Sequence, residues 1–398
     1  MKWLLFIPLL SFAGAHTKSI LDGQYLVKSS SFTSGEIVRK IGRGMLLVKS
    51  KIKLNVDNKN IFHNYEYRGE FKEGVITKKK VNDPLFSEQS HHSQIKTPEA
   101  WKITQGSSDI IVAVTDNEFE LDHDDLKHAW WKNEKEIPNN KIDDDGNGYV
   151  DDVIGWDFVT QDSNVDVEES PTHGTHVSGI IAAQVHNGIG VAGIAPKVKI
   201  MPLRWFGDER RWDTALVVET YNYAIAMGAN IINTSYNIDP LVEDPAYLDV
   251  IKFATDSGVI IFNSAGNDNK KDPPRGVVKD IVLVCSVKGK KERHFDKKSR
   301  FSNYGKEIDI CAPGDPILST VQRRYLGESR YGELEGTSMS SPVAASVAAL
   351  IWSHNPNFTR REVIDKLINS ADNIDAKNKS RYHGLLGSGR VNALEALK

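Results

Sequence analysis

Four short stretches of this chain constrain its fold most strongly: Ile110-Ile111-Val112-Ala113-Val114, Ala229-Asn230-Ile231-Ile232-Asn233, Val259-Ile260-Ile261-Phe262 and Ile281-Val282-Leu283-Val284. Each is apolar almost throughout and of strand length. A strand with one wet face alternates apolar and polar residues, so unbroken runs mean burial on both faces, the situation of a parallel sheet covered by helices. Helix-compatible stretches, Val177 to Val185 and Thr214 to Met227, lie between them. From Asp109 onward the pattern therefore predicts an α/β fold, three-layer α/β/α around a mostly parallel, doubly wound sheet. Ligands of such sheets bind beyond the carboxyl ends of the strands, which makes strand-end residues the first candidates for a site.

The 398 residues are 40% hydrophobic and 26% charged, which excludes disordered, collagen-like and polytopic membrane classes. The net charge of −3 conceals an uneven distribution: residues 16–80 carry a net of +8 and residues 81–398 a net of −12. Before the basic region, Lys2, the apolar run Trp3 to Leu10 and Ala13-Gly14-Ala15 read as a signal peptide over 1–15. The run is too short for a membrane span, which takes about 20 apolar residues. The expectation is a secreted or periplasmic protein. Residues 16–81 hold short strand-like pieces (Glu36-Ile37-Val38-Arg39, Met45-Leu46-Leu47-Val48, Tyr65-Glu66-Tyr67) and end near Lys78-Lys79-Lys80. A domain of about 65 residues is marginal alone and calls for a partner surface. Cys285 and Cys311 stand in strand-like runs and read as two buried thiols, with a bridge the alternative.

Three segments carry the chemistry. Asp116 follows the strand at 110–115, His173 opens Thr172-His173-Gly174-Thr175-His176-Val177-Ser178-Gly179 before an apolar helix, and Ser338 lies in Gly336-Thr337-Ser338-Met339-Ser340-Ser341-Pro342 before another. Singly they read as a helix cap, a core histidine and an N-cap serine. Together they supply a nucleophile, a base titrating near neutral pH, and a carboxylate to hold the base's tautomer. A serine at a helix N-terminus also has free backbone amides beside it for a developing oxyanion. Pro342, read as lying in the first turn, removes no bond there. A metal pair at His173 and His176 fits poorly, since no Glu stands between them as in the zinc-protease motif.

In the order Asp, His, Ser these segments resemble the signature blocks of the subtilisin-like serine proteases. The resemblance covers about residues 82–398, including Asn82-Asp83-Pro84, Ala195-Pro196 and Gly387-Ser388-Gly389-Arg390-Val391. It implies a secreted endopeptidase made as a self-processing zymogen, with 16–81 as inhibitory, folding-assisting propeptide (a small α+β domain) and 82–398 as peptidase domain. It also implies Asn267, in Ser264-Ala265-Gly266-Asn267, as oxyanion donor, and Ser235-Tyr236-Asn237 with Ser264-Ala265-Gly266 as the edges that bind an extended substrate. The chain departs from the family pattern at Asn117 and Glu118, where Ser or Thr and then Gly are usual, and at Asn237, where Gly is usual. Other expected properties are protein or peptide substrates, the chain's own propeptide as partner, a monomer, no nucleic acid, no membrane after signal removal and no organic cofactor. A silent binding protein on the same fold is the alternative class; an esterase would carry a Gly-x-Ser-x-Gly elbow, which Ser338 lacks.

The loop Asp143 to Asp152 alternates oxygen ligands at Asp143, Asp145 and Asn147, with Asp151 placed to close, the pattern of a calcium site. A second calcium site follows from the resemblance alone: Asp83, Asp125 and Asn187, with carbonyls near Ile189 and Val191. Asp239, Glu243, Asp244 and Asp268 suggest a preference for basic substrate residues, which Lys78 to Lys80 would satisfy. The opposed charges of the two regions suggest docking that salt weakens.

Overall fold

The computed structural model describes residues 6–7, 17–28, 36–41, 45–50, 56, 60–68, 74–75, 77–78, 85–167, 172–207, 211–289, 294–323 and 329–398. Seven strands, numbered along the chain, build the central sheet: β1 (Ile111–Asp116), β2 (Trp156–Asp157), β3 (Lys199–Arg204), β4 (Ile231–Thr234), β5 (Ile260–Ser264), β6 (Ile281–Lys288) and β7 (Ile310–Asp315). They lie in the order β7-β6-β5-β4-β1-β3-β2, every neighbouring pair parallel.

Successive residues explain the unbroken apolar runs. Val112 and Val114 pack into one core and Ala113 into another; Ile231 and Ile232, and Ile260 and Ile261, divide the same way. The first core is roofed by α1 (His173–Ala182) and α4 (Thr337–His354), the second by α2 (Thr214–Ala226) and α3 (Pro245–Asp256). The molecule is thus a three-layer α/β/α structure with a doubly wound sheet. Helix α1 starts and stops earlier than the apolar pattern suggests, because the chain turns through positive φ at His186, Gly188 and Gly190. Strand order reverses at β1, between β3 and β4, so the carboxyl end of β1 opens onto a crevice.

Strands Thr17–Lys28, Glu36–Lys40, Met45–Lys49 and Ile61–Arg68 form an antiparallel sheet completed by Arg211–Asp213, the segment that leads into α2. Leu26, Ile41, Met45, Leu47 and Phe62 share a core with α2 and α3. Arg39 pairs with Glu219 at 3.0 Å, and the Asn222 amide donates to the Ile41 carbonyl at 3.0 Å. The described contact between the two regions is therefore chiefly apolar, with a local ion pair rather than two broad charged faces. Thr77–Lys78 adds a strand to the hairpin of Ile317–Thr320 and Tyr331–Leu334 that precedes α4. Apart from Phe6 and Ile7, the expected signal segment 1–15 lies outside the described residues, as do Lys79, Lys80 and Asp83.

The two cysteines are not free thiols. Cys285 and Cys311 are register partners on β6 and β7, with Cα atoms 4.4 Å apart, and form a disulfide. Register placed them opposite one another, which the linear sequence does not show. Among the described residues no helix is long and apolar enough to cross a membrane.

Candidate active site

The three candidate residues come from three elements that end or begin at the crevice. Asp116 is the last residue of β1, His173 the first of α1 and Ser338 the second of α4. His173 Nδ1 lies 2.8 and 2.9 Å from the two carboxylate oxygens of Asp116, and the Asn117 amide donates to the same carboxylate at 2.9 Å. Gly174 makes this approach possible, since a Cβ there would collide with the Glu118 carbonyl and press on Asp116. With Nδ1 committed to the carboxylate, His173 Nε2 is buried and has no hydrogen-bond partner among the described residues. That is the nitrogen a general base needs open.

His176 is a different kind of histidine. It is fully buried against the carbonyls of Ile317 and Gly332, and burial, then the nearby His173, pushes its pKa down to about 3. A neutral, carbonyl-bound ring has no part in proton transfer near pH 7.

Ser338 and Ser235 are joined reciprocally: Ser338 Oγ donates to the Ser235 carbonyl at 2.9 Å, and Ser235 Oγ donates to the Ser338 carbonyl at 2.8 Å. The second bond corrects the reading of Pro342. Proline is the sixth residue of α4, not a first-turn residue, and its missing N–H leaves the Ser338 carbonyl without its i+4 donor. Ser235 supplies that donor, which ties the nucleophile's turn to the end of β4. Asn267 accepts from the Thr337 amide at 2.9 Å and the Thr337 hydroxyl at 2.8 Å, both on its carbonyl oxygen. Its Oδ1 is thereby committed to the residue before Ser338, and Nδ2 is the half of the amide that can donate.

The subtilase family model matches residues 107–389. This chain belongs to the subtilase family. It is 32% identical over 320 residues to thermitase of Thermoactinomyces vulgaris, covering 80% of this chain and 99% of thermitase. It is also 32% identical over 313 residues to the halolysin-like extracellular serine protease Nep of Natrialba magadii, covering 78% of this chain and 52% of that protein. A solved protease structure from Pseudoalteromonas arctica superimposes with a TM-score of 0.61 at 27% identity, covering 80% of this chain and 99% of that one. The chain is a subtilisin-like serine peptidase, a hydrolase acting on proteins or peptides.

The two departures in this subtilase are both built into hydrogen-bond networks. Glu118, fully buried, accepts from the Thr175 hydroxyl at 2.9 Å and from Gln322; burial holds its carboxyl well above the ordinary value of 4.5, with Asp116 adding to the shift. Asn237 is bonded by Arg275, a buried residue that the sequence reading did not single out. Arg275 also pairs with Asp239, so one acid invoked for a basic substrate preference is already neutralised.

The acidic loop draws in a carboxylate from outside the motif. Glu136, Asp143 and Asp145 offer carboxylate oxygens within 4.8 Å of one another. Asn147 packs beside them, donating to Asp152 at 2.9 Å and receiving the Tyr149 amide at 2.7 Å. Asp151 accepts the amides of Asn140 and Lys141, each at 3.0 Å, just as Glu136 accepts those of Asp144, Asp145 and Asp151. Glu136 escaped notice because it precedes the motif. At the second expected site, Asp125 accepts from Asn187 Nδ2 at 2.6 Å and from the Val191 amide at 2.9 Å, while the Ile189 amide donates to Asn187 at 3.0 Å. Asp125 therefore meets the loop that holds Asn187, Ile189 and Val191, and Asp83 lies outside the described residues.

Proposed function

We propose that this subtilase is a secreted or periplasmic endopeptidase, made as a zymogen and working through Asp116, His173 and Ser338 with Asn267 as oxyanion donor. The observation that carries the reading is the asymmetry of His173: one nitrogen is doubly engaged by Asp116 and the other has no partner among the described residues. Ser338 Oγ leaves its bond to Ser235, gives its proton to His173 Nε2 and attacks the scissile carbonyl. Asp116 holds the ring by Nδ1–H and stabilises the imidazolium. The carbonyl oxygen, now negative, receives hydrogen bonds from Asn267 Nδ2 and the first-turn amide of Ser338. His173 then protonates the leaving amine, and water repeats the sequence to release the acyl group.

Residues 1–15 act in this reading as signal peptide and 16–81 as a propeptide, whose sheet covers α2 and α3 until it is cleaved near residues 80–82. The Cys285–Cys311 bridge supports an oxidising destination. Full-length protein and a Ser338→Ala variant should differ in mass and in fluorophosphonate labelling: wild type loses its N-terminal region and labels at Ser338, and the variant does neither. Equal processing of both would remove self-cleavage, and a folded wild type that takes no label would favour the silent binder.

Calcium belongs to the same proposal. Three clustered carboxylates suit a hard dication, so Glu136, Asp143 and Asp145 would hold it, with Asn147 adjacent. Asp125, Asn187 and the chain at Ile189 to Val191 would form the second site with Asp83. A bound ion would supply stability rather than chemistry.

A further inference from the structure

Between the two expected substrate edges stands a side chain that the catalytic reading leaves unused. Arg275 lies in the short turn Pro274–Val277 after β5 and is 1% exposed. Its guanidinium joins the edges: Nη1 donates to the Ser264 carbonyl at 2.6 Å, and Nη2 donates to Asn237 Oδ1. Nε and Nη2 also donate to the two oxygens of Asp239, at 2.9 and 3.1 Å, and Asp239 accepts the Arg275 backbone amide at 2.9 Å. A Cβ placed on Gly266 would lie 3.1 Å from Nη2 and 3.3 Å from Cζ, so the planar group is packed against the Gly266 backbone.

The consequences follow from the donor inventory. Four of the five guanidinium N–H groups have acceptors on residues 237, 239 and 264, and the one formal charge is balanced by Asp239. Burial pushes the Asp239 carboxyl up, but the guanidinium outweighs that and holds it below its ordinary value. The arginine's charge is therefore already paired, and a bulky substrate side chain entering between the edges would have to uncouple a charge pair whose guanidinium is buried.

Resting on the peptidase reading above, we infer that Arg275, clamped by Asp239 and Asn237, is the specificity-determining residue for the side chain preceding the scissile bond, and restricts it to Gly, Ala or Ser in substrates cut between molecules; the chain's own junction near residues 80–82 has none of these, and its single cut relies on being presented intramolecularly at high effective concentration. The guanidinium fills the slot between the edges that a longer side chain would occupy. Asn237 takes part as the residue that holds Arg275 in place, which accounts for a side chain where the family has glycine.

The test is a series of quenched peptides differing only at that position, cut by the self-processed wild-type enzyme after fluorophosphonate titration of active sites. Ala and Ser should give the highest kcat/KM, with Leu, Phe, Lys and Glu each lower by about 10²-fold. Arg275→Gly frees both the slot and Asp239, so its best residue should become Lys, while Arg275→Gly with Asp239→Asn should prefer Leu or Phe. A purely structural role for Arg275 would lower all substrates together without changing their order. If either variant does not fold, the wild-type profile still decides: an enzyme that labels at Ser338 but prefers large, basic or acidic residues overturns the inference. Failure of wild type to label overturns the peptidase reading instead, and this inference with it.

Discussion

The Asp116–His173 pair and the Arg275–Asp239 pair are both acid–base pairs at the carboxyl end of one sheet, the first buried on both sides and the second on the arginine side, yet they are finished in opposite ways. The first leaves Nε2 of His173 without a partner among the described residues. The second engages both of its carboxylate oxygens and all but one of its guanidinium donors within the protein. A buried polar atom without a partner is costly, and it persists where something else is meant to complete it. A closed cluster gives shape instead. The same ingredients thus suit proton transfer in one place and exclusion in the other.

Breaking the open pair should have the largest effect. His173→Ala should reduce kcat by about 10⁶-fold with the fold retained, because the nucleophile and its base act as a unit. Asn267→Ala should cost about 10²–10³-fold in kcat with KM nearly unchanged, the loss typical of one donor used chiefly in the transition state. Steady-state kinetics on one peptide measures both. A His173→Ala loss no greater than that of Asn267→Ala would mean that the unpartnered nitrogen is not the base.

Much of this arrangement was legible in the sequence because it is local. The four apolar runs mark the parallel sheet, and Asp116, His173 and Ser338 announce themselves as the last or first residues of strand and helix patterns. What stayed hidden depends on three-dimensional neighbours. Arg275 sits in Pro273-Pro274-Arg275-Gly276, a turn with no motif, and its role arises only when β4 and β5 bring Asn237 and Ser264 to either side of it. The donor that compensates Pro342 comes from Ser235, far away in the chain. The disulfide needed the register of β6 on β7. Glu136 reaches the acidic loop from outside the repeat that flagged it.

The acidic loop offers a middle-sized effect, on stability rather than rate. An ion at about 100 times its Kd contributes about 2.7 kcal/mol, so chelator should lower the melting temperature of the mature enzyme by about 5–10 °C. Glu136→Gln should shrink that response, whereas Asp151→Asn should leave it in place, since Asp151 is not one of the three carboxylates whose oxygens lie within 4.8 Å of one another. Equal shrinkage in both variants would restore Asp151 as a ligand, and a melting temperature indifferent to chelator would remove the ion.

A third buried pair sharpens the comparison because it can be taken apart. Arg39 belongs to the region proposed to be cleaved away and Glu219 to α2, and their side chains are 22% and 2% exposed. Burial pushes the Glu219 carboxyl up to about 7, with Arg39 opposing the shift. Its native value thus lies above the ordinary 4.5, so the native precursor keeps a proton that the unfolded chain has released. Glu219 therefore costs stability progressively as pH rises from about 4.5 to about 7, and the cost is constant above that window. Arg39 limits this cost, so Arg39→Ala in the Ser338→Ala precursor should be nearly silent at pH 5 and destabilise by about 1–2 kcal/mol at pH 8, between the values for exposed and fully buried pairs. Thermal melts at the two pH values read the difference, and Glu219→Gln in the same background should abolish it. Equal losses at pH 5 and pH 8 would show that Arg39 acts through packing alone, leaving the apolar contacts of Leu26, Ile41, Met45, Leu47 and Phe62 to hold the two regions together.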